Sequence, residues 1–332
     1  MRVETMTKPK TFSTALFALL LAARVLALDI YVATNGTGDG SSWAQATNSI
    51  AGAVQYLVDE MLIPGNVIVS NGTYTGIALN YEENVSITGK TGNAADVILV
   101  GNGSSPIIEG VLLSQKTCYA MTLRGAGGAY GAAVAIRLVN CIIEENTGTY
   151  FAGAIAGGIA SHCIIRNNTG GSAGAAAAES QLNNCLIYGN TGEIGAVRGG
   201  QVYNCTIVGN VGTNGAGGVG DDSLMYNTIS WGNTGDPDNP SAAYYSCGSG
   251  TAYEVATCIT NDPLFIGSGD YRLQAGSPCI NAGTNSTWTT LTDTDLDGNK
   301  RRWPANGQAD MGAYEFGSQP EYLKKVFLMK SN

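Results

Sequence analysis

The chain is poor in charge. Only 13% of its 332 residues are Asp, Glu, Lys or Arg, acidic residues outnumber basic ones 26 to 17, and the formal net charge is −9. With no basic patch to release counterions from phosphates, a nucleic acid or an anionic membrane surface is excluded as a partner. Histidine occurs once, as His162, and the long middle of the chain holds two lysines, Lys90 and Lys116. Helix formers are scarce beside 46 glycines, which argues against a helical repeat. Beyond the N-terminal region no apolar run reaches the length needed to span a bilayer.

What is present is a repeat. The phrases NCIIEENTG from Asn140, HCIIRNNTG from His162, NCLIYGNTG from Asn184, NCTIVGNVG from Asn204 and NTISWGNTG from Asn227 return every 20 to 23 residues. A second column of Gly and Ala keeps step with them: GAAVAI from Gly131, GAIAGGI from Gly153, GAAAAE from Gly174, GAVRGG from Gly195 and GAGGVG from Gly215. Two columns at one period mark a solenoid. Within each phrase the Cys and the second aliphatic residue alternate with their neighbours at period two and are followed by Asn and Gly, a strand running into a turn.

Stacking such coils in register, about 4.8 Å apart, gives a parallel β-helix. It puts Cys141, Cys163, Cys185 and Cys205 over one another, and likewise Asn146, Asn168, Asn190, Asn210 and Asn233, whose amides can hydrogen-bond along the stack. Residues 63–260 are expected to form the helix, of about ten coils and a height of about 45 to 50 Å, with the last coil and a C-terminal cap module in 261–316 and a tail in 317–332.

Residues 1–27 read as a cleavable export signal: Arg2, Lys8 and Lys10 precede the apolar run from Ala15 to Ala23, and Val25-Leu26-Ala27 supplies a small-residue cleavage site. The segment holds four basic residues and one acidic, so its removal takes the charge from −9 to −12. In 28–62 a strand at Ile30 to Ala33 precedes a helix with Ile50, Ala53, Val54, Leu57 and Met61 on one face, behind Thr47-Asn48-Ser49. That helix is expected to cap the open edge of the first coil. Asp236 to Thr257, with Pro237 and Pro240, breaks the phrase and is expected to loop out of the wall. The ladder cysteines are expected to be free core thiols, whereas Cys247 and Cys258 bracket the broken segment and are the better disulfide candidates.

The Gly-Ala-apolar and apolar-x-x-Asn alternation, as in Gly153-Ala154-Ile155 with Ile165-x-x-Asn168, resembles the repeats of polymorphic outer-membrane proteins and other secreted right-handed β-helix proteins. The segments IYVATNGTGDGSSWAQA (Ile30 to Ala46) and NDPLFIGSGDYRLQAGSPCINAGT…DLDGNKRRW…ADMGAYEF (Asn261 to Phe316) resemble bacterial surface proteins of the pectin-lyase-like superfamily that carry a choice-of-anchor module. The resemblance implies an all-β, right-handed parallel β-helix at or outside the cell surface. It says little about activity.

Enzymes of that superfamily use clustered carboxylates, or Lys or Arg beside Ca²⁺. Asp221-Asp222 resembles the aspartate pair of polygalacturonases, but the companion aspartate and Gly-His-Gly motifs are absent. Asp221 and Asp222 are better read as a polar loop after Gly220. Arg166 and Arg198, with Arg124, are the available cations for a lyase, with no accompanying Lys. His162 stands where sister coils carry Asn and reads as an outward rung.

With Cys and the second aliphatic residue inward, the outward columns are Asn140, His162, Asn184, Asn204 and Asn227; Ile142, Ile164, Leu186, Thr206 and Ile229; and Glu144, Arg166, Tyr188, Val208 and Trp231. Amides with Tyr188, Trp231 and Arg166 make a surface that suits sugars. The aliphatic middle column calls for a cover, either the segment Asp236 to Thr257 or a partner. Asp293, Asp295, Asp297 and Asn299 alternate before and around Gly298 as Ca²⁺ ligands do, with Asp310 or Glu315 to complete the shell, though Pro304 stands where an EF-hand has its bidentate Glu. Alternatively these aspartates cap turns and pair with Arg301 and Arg302.

The sequence thus leads to an exported structural or adhesive β-helix that holds a polysaccharide along Asn184, Asn204, Arg166, Tyr188 and Trp231. The alternative is a polysaccharide lyase or glycoside hydrolase with a divergent site.

Overall fold

A computed structural model describes residues 28–317 except 61, 63, 81–83, 111–115, 287–293, 303, 305 and 306. The expected export signal in 1–27, nearly all of the tail, Met61 expected on the helix face and Asp293 of the expected Ca²⁺ loop lie outside the described residues.

The chain is a parallel β-solenoid. Fourteen strands form one sheet, nine a second and three a third, and every pairing within the coils is parallel. Nine stacked strands of the second sheet, from Gly72–Ile77 up to Cys247–Gly248, enclose eight turns, a stack of about 38 Å. That is fewer than the ten coils expected, because the chain beyond Ile259 leaves the stack and forms an antiparallel hairpin, Phe265–Gly267 with Asp270–Leu273.

Side chains that alternate inward fill one continuous core. Ile143, Ile165, Ile187 and Ile207 lie over one another with Cys141, Cys163, Cys185 and Cys205 beside them, all buried, and the thiols are free. At the next corner Asn146, Asn168, Asn190, Asn210 and Asn233 form the expected ladder, the Nδ2 of each of the first four donating to the Oδ1 above it at 2.9 to 3.0 Å. Each Oδ1 also accepts the backbone N–H of the Asn below, and each of the four lower amides also donates to a carbonyl of the rung beneath, so the corner's buried polar groups are satisfied.

The Asn and His that open each phrase are not outward rungs. Asn140, His162, Asn184, Asn204 and Asn227 have φ between 49° and 53°, the left-handed region that turns the chain from the first sheet into the second. Asn and His tolerate this conformation better than most residues, which explains why they recur there.

Helix Ile50–Asp59 stands where its apolar spacing places it, with Ser49 Oγ accepting from Gly52 N at 2.9 Å as the N-cap. Its buried face, Ile50, Ala53, Val54 and Leu57, packs on strands Leu28–Val32 and Gly65–Val69 and closes that end of the core.

The other end is closed by the segment expected to loop out. It instead supplies the last rung, Ala242–Tyr244 and Cys247–Gly248, and then a plug. The inward column that is Ile in lower coils becomes Ser230 and then Gly248, where a Cβ would overlap the Tyr253 ring. Tyr253, 1% exposed, fills the space, and its hydroxyl donates to Asp238 Oδ2 at 3.0 Å. Asp238 Oδ1 accepts from Gly218 N and Val219 N, both at 3.0 Å, standing in for the strand that the next coil would have provided.

The C-terminal module is a cover over the outer face of the second sheet. Gly312 N donates to Asn227 O at 2.7 Å, Ala313 N to Thr206 Oγ1 at 2.9 Å, and Thr284 N to Asn227 Oδ1 at 2.7 Å. Ala313 and Tyr314 bury Leu186 and Val208, while Leu273, Cys279 and Met311 bury Ile229 and Cys247. The upper part of the aliphatic outward column, Leu186, Thr206 and Ile229, is therefore covered from within the chain, by residues such as Leu273, Cys279, Met311, Ala313 and Tyr314 and not by the segment Asp236 to Thr257.

Candidate functional site: a polar row beside the cover

The third outward column of the second sheet runs Arg124, Glu144, Arg166, Tyr188, Val208, Trp231 on successive rungs. Neighbours along it are separated by one strand spacing, about 4.8 Å, so long side chains on adjacent rungs meet. Arg166 Nε and Nη2 lie 2.7 and 2.6 Å from Glu144 Oε2, and Nη1 donates to the Tyr188 hydroxyl at 2.9 Å. The bond to Tyr188, with Glu144 behind it, raises the Arg166 pKa against the opposing pull of burial. The Arg166 side chain keeps 35% of its surface exposed and Glu144 keeps 14%, which leaves guanidinium and carboxylate edges for a ligand.

Tyr188 marks the border of the cover. Its ring centroid lies 5.6 Å from that of Tyr271 on the C-terminal hairpin, and Tyr271 meets Phe265 edge-on at 5.6 Å. Trp231, two rungs higher, is packed against the apolar cluster beneath the cover. Asn184 and Asn204, expected on the same surface, are 0% and 1% exposed at left-handed corners and cannot meet a glycan. Of the five wall residues read from the sequence, the structure gathers Arg166 with Tyr188, and adds Glu144 and Arg124 as neighbours. His162, half-buried, faces the cover, its Nε2 3.1 Å from Thr294 O.

The catalytic candidates are not brought together. Arg166 is on the second sheet and Arg198 on a strand of the first, Val197–Tyr203. Asp221 and Asp222 are exposed at the corner one rung above Gly199 and Gly200. There Asp221 Oδ1 accepts from Asn239 Nδ2 and Asp222 takes the left-handed conformation, φ 59°. That is the turn role.

Asp295, Asp297 and Asn299 are engaged in contacts within the protein. Asp295 is fully buried and its oxygens are already used: Oδ1 accepts from Asp297 N and Asn299 N, and Oδ2 from Glu315 N and Asn299 Nδ2, at 2.7 to 3.1 Å. Asp297 is held by Arg272 through two bonds of 2.7 and 2.8 Å. Arg301, buried and donating to Gly312 O, is the local cation, and Glu315, Asp295 and Asp310 favour its charge while burial lowers its pKa. Among the described residues no group of three or more His, Cys, Asp or Glu is arranged to hold a metal ion.

The sequence reading missed the pairing of Asp238 with Tyr253. Burial raises the Asp238 pKa. A cavity of about 270 Å³ opens beside it, lined by Ser230, Asn233, Asp238 and Ser249. The substitution of Ser230 for an Ile in the inward column was the available signal.

The class these features define is a parallel β-solenoid plugged at one end and covered on one face by its own C-terminus. No family model matches the chain and no curated protein matches its sequence. Among solved structures, the crystal structure of pectate lyase Pel9A is similar, with 14% identity and a TM-score of 0.48 over 86% of this chain and 96% of that one. No helix among the described residues is long and apolar enough to cross a membrane.

Proposed function

We propose that the protein is an exported or cell-surface β-solenoid with an adhesive or structural role, holding a polysaccharide along the row Arg124, Glu144, Arg166 and Tyr188. The observation that carries this reading is the Glu144–Arg166–Tyr188 chain of contacts, which sets charged and phenolic groups in a fixed, partly exposed line. Guanidinium N–H groups and a carboxylate edge pair with sugar hydroxyls, and the ring edge of Tyr188 adds an apolar contact. The signal-like residues 1–27 and the resemblance of both ends to anchored surface proteins support export. The dispersal of Asp221, Asp222, Arg166 and Arg198 speaks against turnover at those residues.

The test is to incubate the purified protein with acidic and neutral polysaccharides while recording bound glycan, new reducing ends and the ultraviolet absorbance of unsaturated product. Binding without product, lost in the double variant Arg124→Ala, Arg166→Ala, is expected. Product formation would replace the adhesive reading with an enzymatic one. Equal binding by the double variant would move the ligand elsewhere.

A further inference from the structure

Cys247 does not belong to the inward cysteine ladder. It sits on the outward column of the second sheet, paired with Ile229 on the rung below. Cys279 arrives from the cover, just after the hairpin that ends at Leu273. Both are fully buried in one apolar cluster with Ile229, Leu273 and Met311, where the Cys247 thiol donates to Asn261 O at 3.4 Å. The sequence separates them by 32 residues, so they join two parts of the fold that are otherwise tied by hydrogen bonds and packing. Cys258, the partner expected from the sequence, is only half-buried and donates to Ala243 O at 3.4 Å. The ladder thiols of Cys141, Cys163, Cys185 and Cys205 each donate to the carbonyl two residues earlier, at 3.2 to 3.3 Å. They stack in register, where parallel Cβ vectors oppose a disulfide.

We propose that Cys247 and Cys279 form a redox-dependent clasp that fastens the C-terminal cover to the last coil. The oxidant is a low-molecular-weight disulfide. One cysteine loses its proton, and its thiolate attacks a sulfur of that disulfide, breaking the S–S bond and expelling one small thiolate. The second cysteine then loses its proton and attacks the cysteine sulfur of the mixed disulfide, forming the Cys247–Cys279 bond and expelling the second small thiolate. The two protons finish on the two small thiols, and the two electrons given up by the cysteines reduce one small disulfide. Because both sulfurs are buried, exchange takes place before the cover docks or when it lifts. The neighbouring Cys279 thiol, together with burial, raises the Cys247 pKa and keeps that thiol protonated once the cover is down. In the reduced protein the cover is free to open over Ile229 and Thr206; in the oxidised protein it is not.

The protein is refolded in a mixture of reduced and oxidised glutathione, quenched with acid, unfolded, alkylated and weighed. Of the eight cysteines, six are expected to be alkylated, and a proteolytic peptide pair should join Cys247 to Cys279. Cys258→Ser should leave that pair intact, while Cys247→Ser and Cys279→Ser should each abolish it. In native protein, cleavage within the cover by a nonspecific protease should be at least about tenfold slower when oxidised, as expected for a cross-link that constrains opening. Alkylation of all eight cysteines, a link from Cys247 to Cys258, or a cover digested equally fast in both redox states would overturn the proposal. The wild-type count does not depend on either serine variant folding.

Discussion

The hydroxyl of Tyr253 lies 3.0 Å from Oδ2 of Asp238, fifteen residues earlier, and this contact seals the upper end of the core. Removing only the hydroxyl in Tyr253→Phe keeps the ring under Gly248 but leaves a buried carboxylate short of one donor. A loss of about 1 to 3 kcal/mol is expected. The check is the urea midpoint. Tyr253→Ala, which also empties the space beside Ser230, should cost about 3 to 5 kcal/mol; equal effects of the two variants would mean that the plug works through its hydrogen bond alone.

Stability should rise as the pH is lowered from neutrality towards the ordinary carboxylate value of 3.8. Burial raises the folded-state pKa of Asp238, and of Asp295 and Asp310 in the cover, despite the N–H groups that oppose it. A raised folded pKa means that the folded protein binds the proton more tightly. The contribution is thus complete below the unfolded pKa and is lost as the pH climbs through the folded one. Melting temperatures across this window should decline with increasing pH, and Asp238→Asn should flatten the decline. A melting temperature that climbs with pH over the same range would contradict the assignment.

Asn168 is the most economical place to test the amide ladder. Its side chain donates to Ile143 O and Asn190 Oδ1 and accepts from Asn146 N and Nδ2, all buried. Asn168→Ala strands several of these groups at once, and a loss on the order of 3 kcal/mol follows, since each buried group left unmatched costs about 1 to 3 kcal/mol. Chemical denaturation of the variant measures it, and the exposed Glu193→Ala serves as the control.

Calcium should leave the melting temperature unchanged, whether added or removed by a chelator. Asp295 has no oxygen that is not already accepting an N–H, and Asp297 is engaged by Arg272. An increase of several degrees with millimolar calcium would show that the cover rearranges to admit it.

The coils were legible in the sequence because each residue type at a corner or in a column is selected by the same neighbours above and below. Asn146 needs an amide over it, Ile143 an aliphatic, and so the pattern repeats. The plug and the cover repeat nothing. Tyr253 is fixed by the absence of a side chain at Gly248, and Gly312 by its approach to Ile229 and Thr206, contacts made across 83 and 106 residues with no period to betray them. For the same reason the wall residues were only partly placed. Tyr188 and Arg166 follow from strand alternation, but the burial of Trp231 depends on a module docked from elsewhere, and Asn184 and Asn204 were read as strand when they are corners.

The contacts of the cover with the stack among the described residues run from His162 up to Cys247, above the rungs of Leu123 and Ile143. Lengthening the molecule is therefore possible in one region and forbidden in another. A duplicated coil placed between the rungs of Leu123 and Ile143 would leave those contacts of the cover intact. The same insertion between Ile187 and Ile207 would carry Thr206 and Asn227 a full rung away from Leu186 and tear the cover from one half of its footing.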